Sequence, residues 1–398
     1  MKYIENDRKN GIEYDFNLIF KEYEKIGIPD IYFKVLKENF EEFAWIIELS
    51  ERATGKTTAF LLLGLVMFKL YGTVTVYCRQ TSEMVAPKFS STLFDVVLDN
   101  KYIEKIFDGE YNSVFYKSKK WFLAKVDTDG KIVEISETHF CRMLSLDDDI
   151  NIKSSVNETI GDLFIYDEFI RIDNRNFDNE FALLSDVIST VFRLRISGKI
   201  IMLANTIDKN SFYFHDLKIH DYIDSMEFGD AEKIEVDGVK MFVEIIQNGK
   251  KFKEHKKKWT EKFFNFGRSE LSAITGAAEW SIKAYPHIPH FLQNEPYEKE
   301  TICKIVYINK IISVDIFNSE KYGIFMAFCP CKKIYKNDII LTDENDKIPN
   351  SLHGFGDGTN ISKLIQHFYK IHKVYFSAND MGALLDKYQI KCYNRLIY

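Results

Sequence analysis

The chain has 398 residues, 46% of them apolar and 28% charged, which is enough core material for two or three globular domains and excludes a disordered or fibrous protein. Lys and Arg number 53 against 59 Asp and Glu, a formal charge of -6, so this is no basic polyelectrolyte coating nucleic acid, and any such contact must be local. Six cysteines (Cys78, Cys141, Cys303, Cys329, Cys331 and Cys392) form no disulfide framework at this length, and Cys329-Pro330-Cys331 lacks a second ligand pair at zinc spacing. The first ten residues are mostly polar, and the longest apolar run, residues 59–68, is about half of what a bilayer needs. A soluble protein of a reducing cytoplasm, with no membrane partner, is expected.

In chain order, apolar residues recur at helical spacing over 13–42 (Phe16, Ile19, Phe20, Tyr23, then Tyr32, Val35, Leu36, Phe40), broken at Ile28-Pro29-Asp30, which predicts two short amphipathic helices. Residues 44–49 read as a buried strand, and 57–70 as an apolar helix. Strands are predicted at 74–78, 163–166 and 199–204, with a helix over 179–195. Strands alternating with helices make an open α/β sheet with right-handed crossovers. From about residue 219 the pattern changes, and a Lys/aromatic cluster at 248–268 reads as connecting chain. Extended segments at 302–308, 311–317 and 322–328, a helix at 361–371, a strand at 373–376 and a helix at 381–388 form a smaller α+β domain.

Ser50-Glu51-Arg52-Ala53-Thr54-Gly55-Lys56-Thr57-Thr58 lies between the first strand and its helix, the setting in which backbone N–H groups and a helix N-terminus face a phosphate. Ser50 stands where the usual pattern has its first glycine. Lys56 would reach the β- and γ-phosphates of ATP, and the Thr57 hydroxyl would bind Mg²⁺. The alternative is an ordinary strand-to-helix turn. The apolar strand 163–166 delivers Asp167 and Glu168 to the same crevice. Asp167 would hold Mg²⁺ and Glu168 would polarise the attacking water, and an acidic pair there favours hydrolysis over transfer to an acceptor. Asn205, at the tip of the 199–204 strand, would hydrogen-bond the water or γ-phosphate unless it only forms a turn. Arg193 and Arg195 end the preceding helix, where cations complement the dipole or serve as an arginine finger for a neighbouring subunit, and spacing alone does not choose.

Asp167-Glu168-Phe169-Ile170-Arg171, Asn179-Glu180 with Ala182-Leu183-Leu184, Thr190-Val191-Phe192-Arg193, and a strand ending in Ala204-Asn205 together resemble the DNA-packaging ATPases of small tailed phages of the Picovirinae type. These are terminase-like P-loop motors of the ASCE class, usually working with a packaging RNA. Tyr77-Cys78-Arg79 fits the resemblance, which spans about residues 43–205 and continues more weakly to the C-terminus. It implies that residues 1–220 form the ATPase domain, 221–295 a linker or lid, and 296–398 a ribonuclease-H-like domain that has lost its metal-binding carboxylates. It also implies that Arg52 is a family arginine of the phosphate loop, that Arg193 is the trans-acting finger in preference to Arg195, and that Arg171 grips DNA phosphates in the pore. Ser82 and Asp173 stand where the family has pore lysines. The implied protein is a homomeric ring, a pentamer, that hydrolyses ATP to drive double-stranded DNA into a prohead. It would dock on the portal in the host cytoplasm and be absent from the mature virion. Asp315, Asp357 and Asp380 are the carboxylates an active nuclease would call on, though scattered surface acids are the plainer reading. The Lys/aromatic cluster is a solvated helix face or a contact for packaging RNA or DNA. The rivals are a nuclease-competent terminase and a structural phage subunit with a decayed nucleotide site.

Overall fold

The strand Trp45–Leu49 (β1) is apolar on both faces apart from Glu48, because it lies inside a parallel sheet covered on both sides. The computed structural model describes residues 12–50, 53–148, 161–170, 180–193, 195–205, 211–249, 297–308, 310–320, 323–343, 351–353, 359–377 and 379–395, with short pieces at 252–254, 258, 286, 288 and 348. The chain divides into two compact units, Met1–Trp280 and Ser281–Tyr398.

In the first unit, helices Phe16–Glu24 (α1) and Lys37–Glu42 (α2) precede β1, and helix Lys56–Tyr71 (α3) follows it. Helix α3 buries residues all round its circumference, as a helix does when it is enclosed on every side. Ile19, Phe20, Tyr23 and Phe40 of the two short helices cover its outer face, and the sheet covers the other. Gly64 permits the closeness to the sheet, since a Cβ there would fall on the Thr75 hydroxyl. Gly72, at φ 70°, ends the helix and donates its N–H to Phe68 O.

The remaining strands are Val74–Arg79 (β2), Ser113–Lys117 (β3), Lys120–Val126 (β4), Ile132–Ser145 (β5), Gly161–Asp167 (β6), Lys199–Ala204 (β7), Ala231–Val236 (β8) and Val239–Ile245 (β9). They form one sheet in the order β3-β4-β5-β2-β6-β7-β1-β9-β8, parallel from β5 to β9 and antiparallel at both edges. Alternate residues feed two cores. Ile46, Tyr77, Ile165 and Ile201 pack under α3, while Ile47, Cys78, Tyr166 and Met202 pack under helix Glu180–Phe192.

The predicted strands and both long helices occur near their expected limits, and the fold is α/β with a parallel-rich sheet. One boundary needs correction. Residues 221–295 were expected as a linker or lid, yet β8 and β9 belong to the main sheet, with β9 pairing β1 from Trp45↔Met241 to Leu49↔Ile245. Glu232, Lys233 and Glu235 make β8 read as surface, because an edge strand is covered on one face only. The three-stranded edge β3–β5 was not anticipated either.

The second unit holds Tyr297–Tyr307 (β10), Lys310–Ser319 (β11), Gly323–Cys331 (β12), Ile340–Thr342 (β13), Leu352–His353 (β14) and Val374–Phe376 (β15), ordered β14-β13-β10-β11-β12-β15. The meander β10-β11-β12 is antiparallel, and β13, β14 and β15 join it in parallel. This second mixed sheet is in keeping with a nuclease-like domain. Helices Asn360–Lys370 and Asn379–Arg395 pack Ile365, Phe368, Leu384 and Tyr388 onto it.

Candidate active site

The site lies at the carboxyl ends of the parallel strands, where open α/β sheets bind ligands. Ser50 extends β1 by donating its N–H to Ala204 O at 3.2 Å. The chain then turns through Ala53 (φ 65°) and Gly55 (φ 87°) into the N-terminus of α3. Glu51 and Arg52 lie outside the described residues. Thr54 O accepts the Phe33 N–H at 2.9 Å, which ties the loop to the segment after α1.

Lys56 is 3% exposed, and its ammonium donates to Ser50 Oγ, to Asn205 Oδ1 at 3.2 Å and to Thr54 Oγ1 at 3.5 Å. The serine at the first-glycine position therefore has a use, as an acceptor for the loop lysine. Burial pushes the Lys56 pKa down to about 8, against the opposing pull of Asp167, Glu48 and Glu168. Glu48 beneath it is fully buried beside Glu244, and burial and that neighbour raise its pKa well above the carboxylate range.

Thr57 Oγ1 donates to Asp167 Oδ2 at 2.9 Å, so the hydroxyl and carboxylate proposed for Mg²⁺ already adjoin. One hydroxyl and one carboxylate, completed by phosphate and water oxygens, suit this hard cation, which takes few protein ligands. Thr58 continues the first turn of α3. Glu168 follows Asp167 at φ 58°, its N–H on Asp167 Oδ1 at 3.0 Å, and Asn205 Nδ2 lies 3.5 Å from its Oε1.

Two further residues converge here without an assigned role. Tyr77 donates its hydroxyl to Asp167 Oδ2 at 2.6 Å, and burial, with Asp167 next, holds the phenol well above its ordinary pKa and so neutral. Arg79 donates Nε to Tyr77 Oη at 2.9 Å, lies 3.4 Å from Asp167 Oδ2, and pairs through Nη1 with Glu168. Burial opposes the Arg79 cation, but Tyr77, Asp167 and Glu168 outweigh it. Arg79 ends β2 and Tyr77 stands two residues before it, and the pairing of β2 with β6 brings both to Asp167.

No protein-family model matches the chain, and no curated protein matches it. Solved structures do. A chain of the bacteriophage Phi-29 viral genome packaging motor assembly is 16% identical and superposes over 91% of this chain and 100% of that one, with a TM-score of 0.54. The chain has the fold of that motor chain. The Phi-28 gp11 DNA packaging motor gives 14% identity, 88% and 94% coverage and a TM-score of 0.49. The N-terminal domain of the DNA packaging ATPase from bacteriophage phi29 gives 18%, 56%, 99% and 0.43.

Within this packaging-motor fold the two arginines after helix Glu180–Phe192 differ. The Arg195 side chain is buried, with Nε 2.8 Å from Asp162 Oδ1 and Nη2 3.1 Å from Gly161 O. Asp162 also accepts Tyr14 Oη at 2.9 Å and Ser197 Oγ at 2.6 Å, so Arg195 is structural. Arg193 is exposed, at φ 48°. Both follow the helix near the start of β6, whereas Asp167 and Glu168 leave its other end. The seven residues of β6 put about 20 Å between those ends. That exceeds an arginine's reach, so Arg193 lies too far from Asp167 and Glu168 of its own chain to touch them.

Arg171 and Asp173 lie outside the described residues, as does most of the Lys/aromatic cluster. Ser82 donates both its N–H and its hydroxyl to Asp147 Oδ2, at 2.9 and 3.0 Å. In the second unit Asp315 is 0% exposed and is held by Lys299 Nζ at 2.9 Å, Thr301 Oγ1 at 2.7 Å and Ser313 Oγ at 2.8 Å. Asp357 lies outside the described residues. Among the described residues no three His, Cys, Asp or Glu side chains group to hold a metal ion.

Proposed function

We propose that this protein is an Mg²⁺-dependent ATPase that packages double-stranded viral DNA into a prohead as a homomeric ring. The convergence of Lys56, Thr57, Asp167, Glu168 and Asn205 on the helix N-terminus of α3 carries this reading. The α3 amides and the Lys56 ammonium would seat the triphosphate. Thr57 and Asp167 would hold Mg²⁺, which supplies charge neutralisation across the β- and γ-phosphates. Glu168 would take a proton from the water that attacks in line. Because Arg79 occupies the Glu168 carboxylate, release of that ion pair would set when the base acts.

The distance of Arg193 from its own site supports a finger supplied to the neighbouring subunit, a contribution of about 10³–10⁵ in rate in related systems. A pentamer docked on the portal in the host cytoplasm, working with a packaging RNA and gripping DNA through Arg171, follows the family resemblance and the motor assembly whose fold it shares. A few phosphate contacts per subunit suffice for tracking a duplex, so the formal charge of -6 is no obstacle. An active nuclease is disfavoured by Asp315, whose carboxylate is already taken up by one cation and two hydroxyls.

The test mixes two inactive variants, Glu168→Gln and Arg193→Ala, in a DNA-stimulated ATPase assay. Complementation is expected, because some interfaces then pair an intact Glu168 with an intact Arg193. Full turnover by Arg193→Ala alone would remove the trans finger, and full turnover by Glu168→Gln would remove the hydrolytic base.

A further inference from the structure

At the amino ends of β2 and β6, away from the Lys56 loop, a buried carboxylate gathers the N-terminal segment and the chain that follows helix Glu180–Phe192. Asp162 is fully buried and pairs through Oδ1 with the Arg195 guanidinium at 2.8 Å. Its Oδ2 accepts the Ser197 hydroxyl at 2.6 Å and the Tyr14 hydroxyl at 2.9 Å, and the Tyr14 oxygen also lies 2.7 Å from Thr73 Oγ1. Burial, with Asp162 next, holds the Tyr14 phenol above its ordinary pKa, so it remains a donor. The Ile12 N–H reaches Ser197 Oγ at 3.4 Å, a second tie between the N-terminal segment and the stretch after Arg193.

Arg193 stands between the fastened points. Its N–H closes the last turn of the helix on Ser189 O at 2.9 Å, and its backbone then turns left-handed at φ 48°, a conformation that a residue with a side chain keeps only where its surroundings fix it. Arg195 Nη2 donates to Val191 O at 3.0 Å and to Gly161 O at 3.1 Å, which fastens the helix end to the start of β6, and Asp162 anchors the far side of the turn through Ser197. We propose that the Tyr14 and Ser197 hydroxyls, acting through Asp162 and Arg195, are positioning groups that set the turn presenting Arg193 to the neighbouring subunit's nucleotide site. This inference rests on the trans-finger reading of Arg193 and adds what aims the finger. A charge that must meet the transition state across a subunit interface needs its backbone fixed beforehand, since a misplacement of about 1 Å costs on the order of 10²-fold.

The test uses the double variant Tyr14→Phe/Ser197→Ala, which keeps the ring and the Asp162–Arg195 ion pair. Calorimetry on the full chain is expected to give wild-type ATP affinity, which also reports that the variant is folded. DNA-stimulated turnover should fall about tenfold, with kcat and not KM carrying the loss. Mixed with Glu168→Gln subunits, whose Arg193 turn is intact, the double variant should regain activity, and mixed with Arg193→Ala subunits it should not. Recovery with Arg193→Ala instead would put the defect in the variant's own nucleotide site, unchanged turnover would mean that the turn holds without the hydroxyls, and weakened ATP binding with recovery in neither mixture would mean that they only support the fold; each overturns the proposal. If Glu168→Gln and Arg193→Ala do not complement each other, the trans finger falls and the positioning role with it.

Discussion

Lys56 shows how one residue reports on the whole site. Its pKa is about 8 against an ordinary 10.5, because burial disfavours its charge more than Asp167, Glu48 and Glu168 favour it. A triphosphate beside it would restore the charged form. Below pH 8 the lysine is protonated with or without nucleotide, so binding takes up little. Between pH 8 and 10.5 it is neutral alone and charged in the complex, so binding takes up a proton and affinity falls as pH rises. Calorimetry in buffers of differing ionisation enthalpy should show net proton uptake on binding at pH 9 and little at pH 6.5. Zero uptake at pH 9 would show that Lys56 does not meet the phosphates. Glu168→Gln is expected to bind nucleotide as wild type does and to lose about 10²–10⁴ in turnover, read by single-turnover hydrolysis. That Lys56 and Thr57 open α3 and that Asp167 and Glu168 stand at the end of β6 was legible in the sequence, because each position is marked by its immediate neighbours. Tyr77 and Arg79 had no assignable role there, since only the β2–β6 pairing brings them to Asp167 and Glu168.

At the scale of elements, packing decides which substitutions are tolerated. Gly64→Ala forces α3 away from Thr75 and should lower stability by about 1–3 kcal/mol, seen as an earlier urea midpoint, with Thr75→Ala restoring part of the loss. Arg195→Met leaves Asp162 buried without its cation and should cost about 3–5 kcal/mol, whereas Arg193→Ala on the surface should leave the midpoint in place. The strands at the centre of the sheet announced themselves as apolar runs because both faces are covered. The edge strands did not. Asp237-Gly238, at φ 51° and 83° between Val236 and Val239, is a hairpin signal set among charged neighbours. Ser118-Lys119 makes a similar left-handed turn between β3 and β4 with no glycine to mark it.

For the whole molecule, the decisive quantity is the length of β6 between Arg193 and the Asp167-Glu168 pair. The proposed site, completed by a neighbour's arginine, would work only when assembled. Specific ATPase activity should therefore fall on dilution and recover when subunits are concentrated, and activity independent of concentration would contradict a shared site. In the second unit the engaged state of Asp315 predicts no Mn²⁺-dependent cleavage of plasmid DNA by wild-type protein and none gained in Asp315→Asn.

Local chemistry along the chain determined the turn from β1 into α3, the acidic strand end and the alternation of strand with helix, because a buried parallel strand and a tight strand-to-helix turn each demand particular residues over a short stretch. Which distant side chains meet was decided by the folded sheet alone. The order β2-β6-β7-β1 brings Arg79 to Glu168 and Asn205 to Lys56, and pairing across strands depends on register between segments far apart in the chain. The same sheet sets Arg193 near the amino end of β6, away from the Lys56 loop at the carboxyl ends of the strands, a separation that arises from strand length in space and that sequence spacing leaves open.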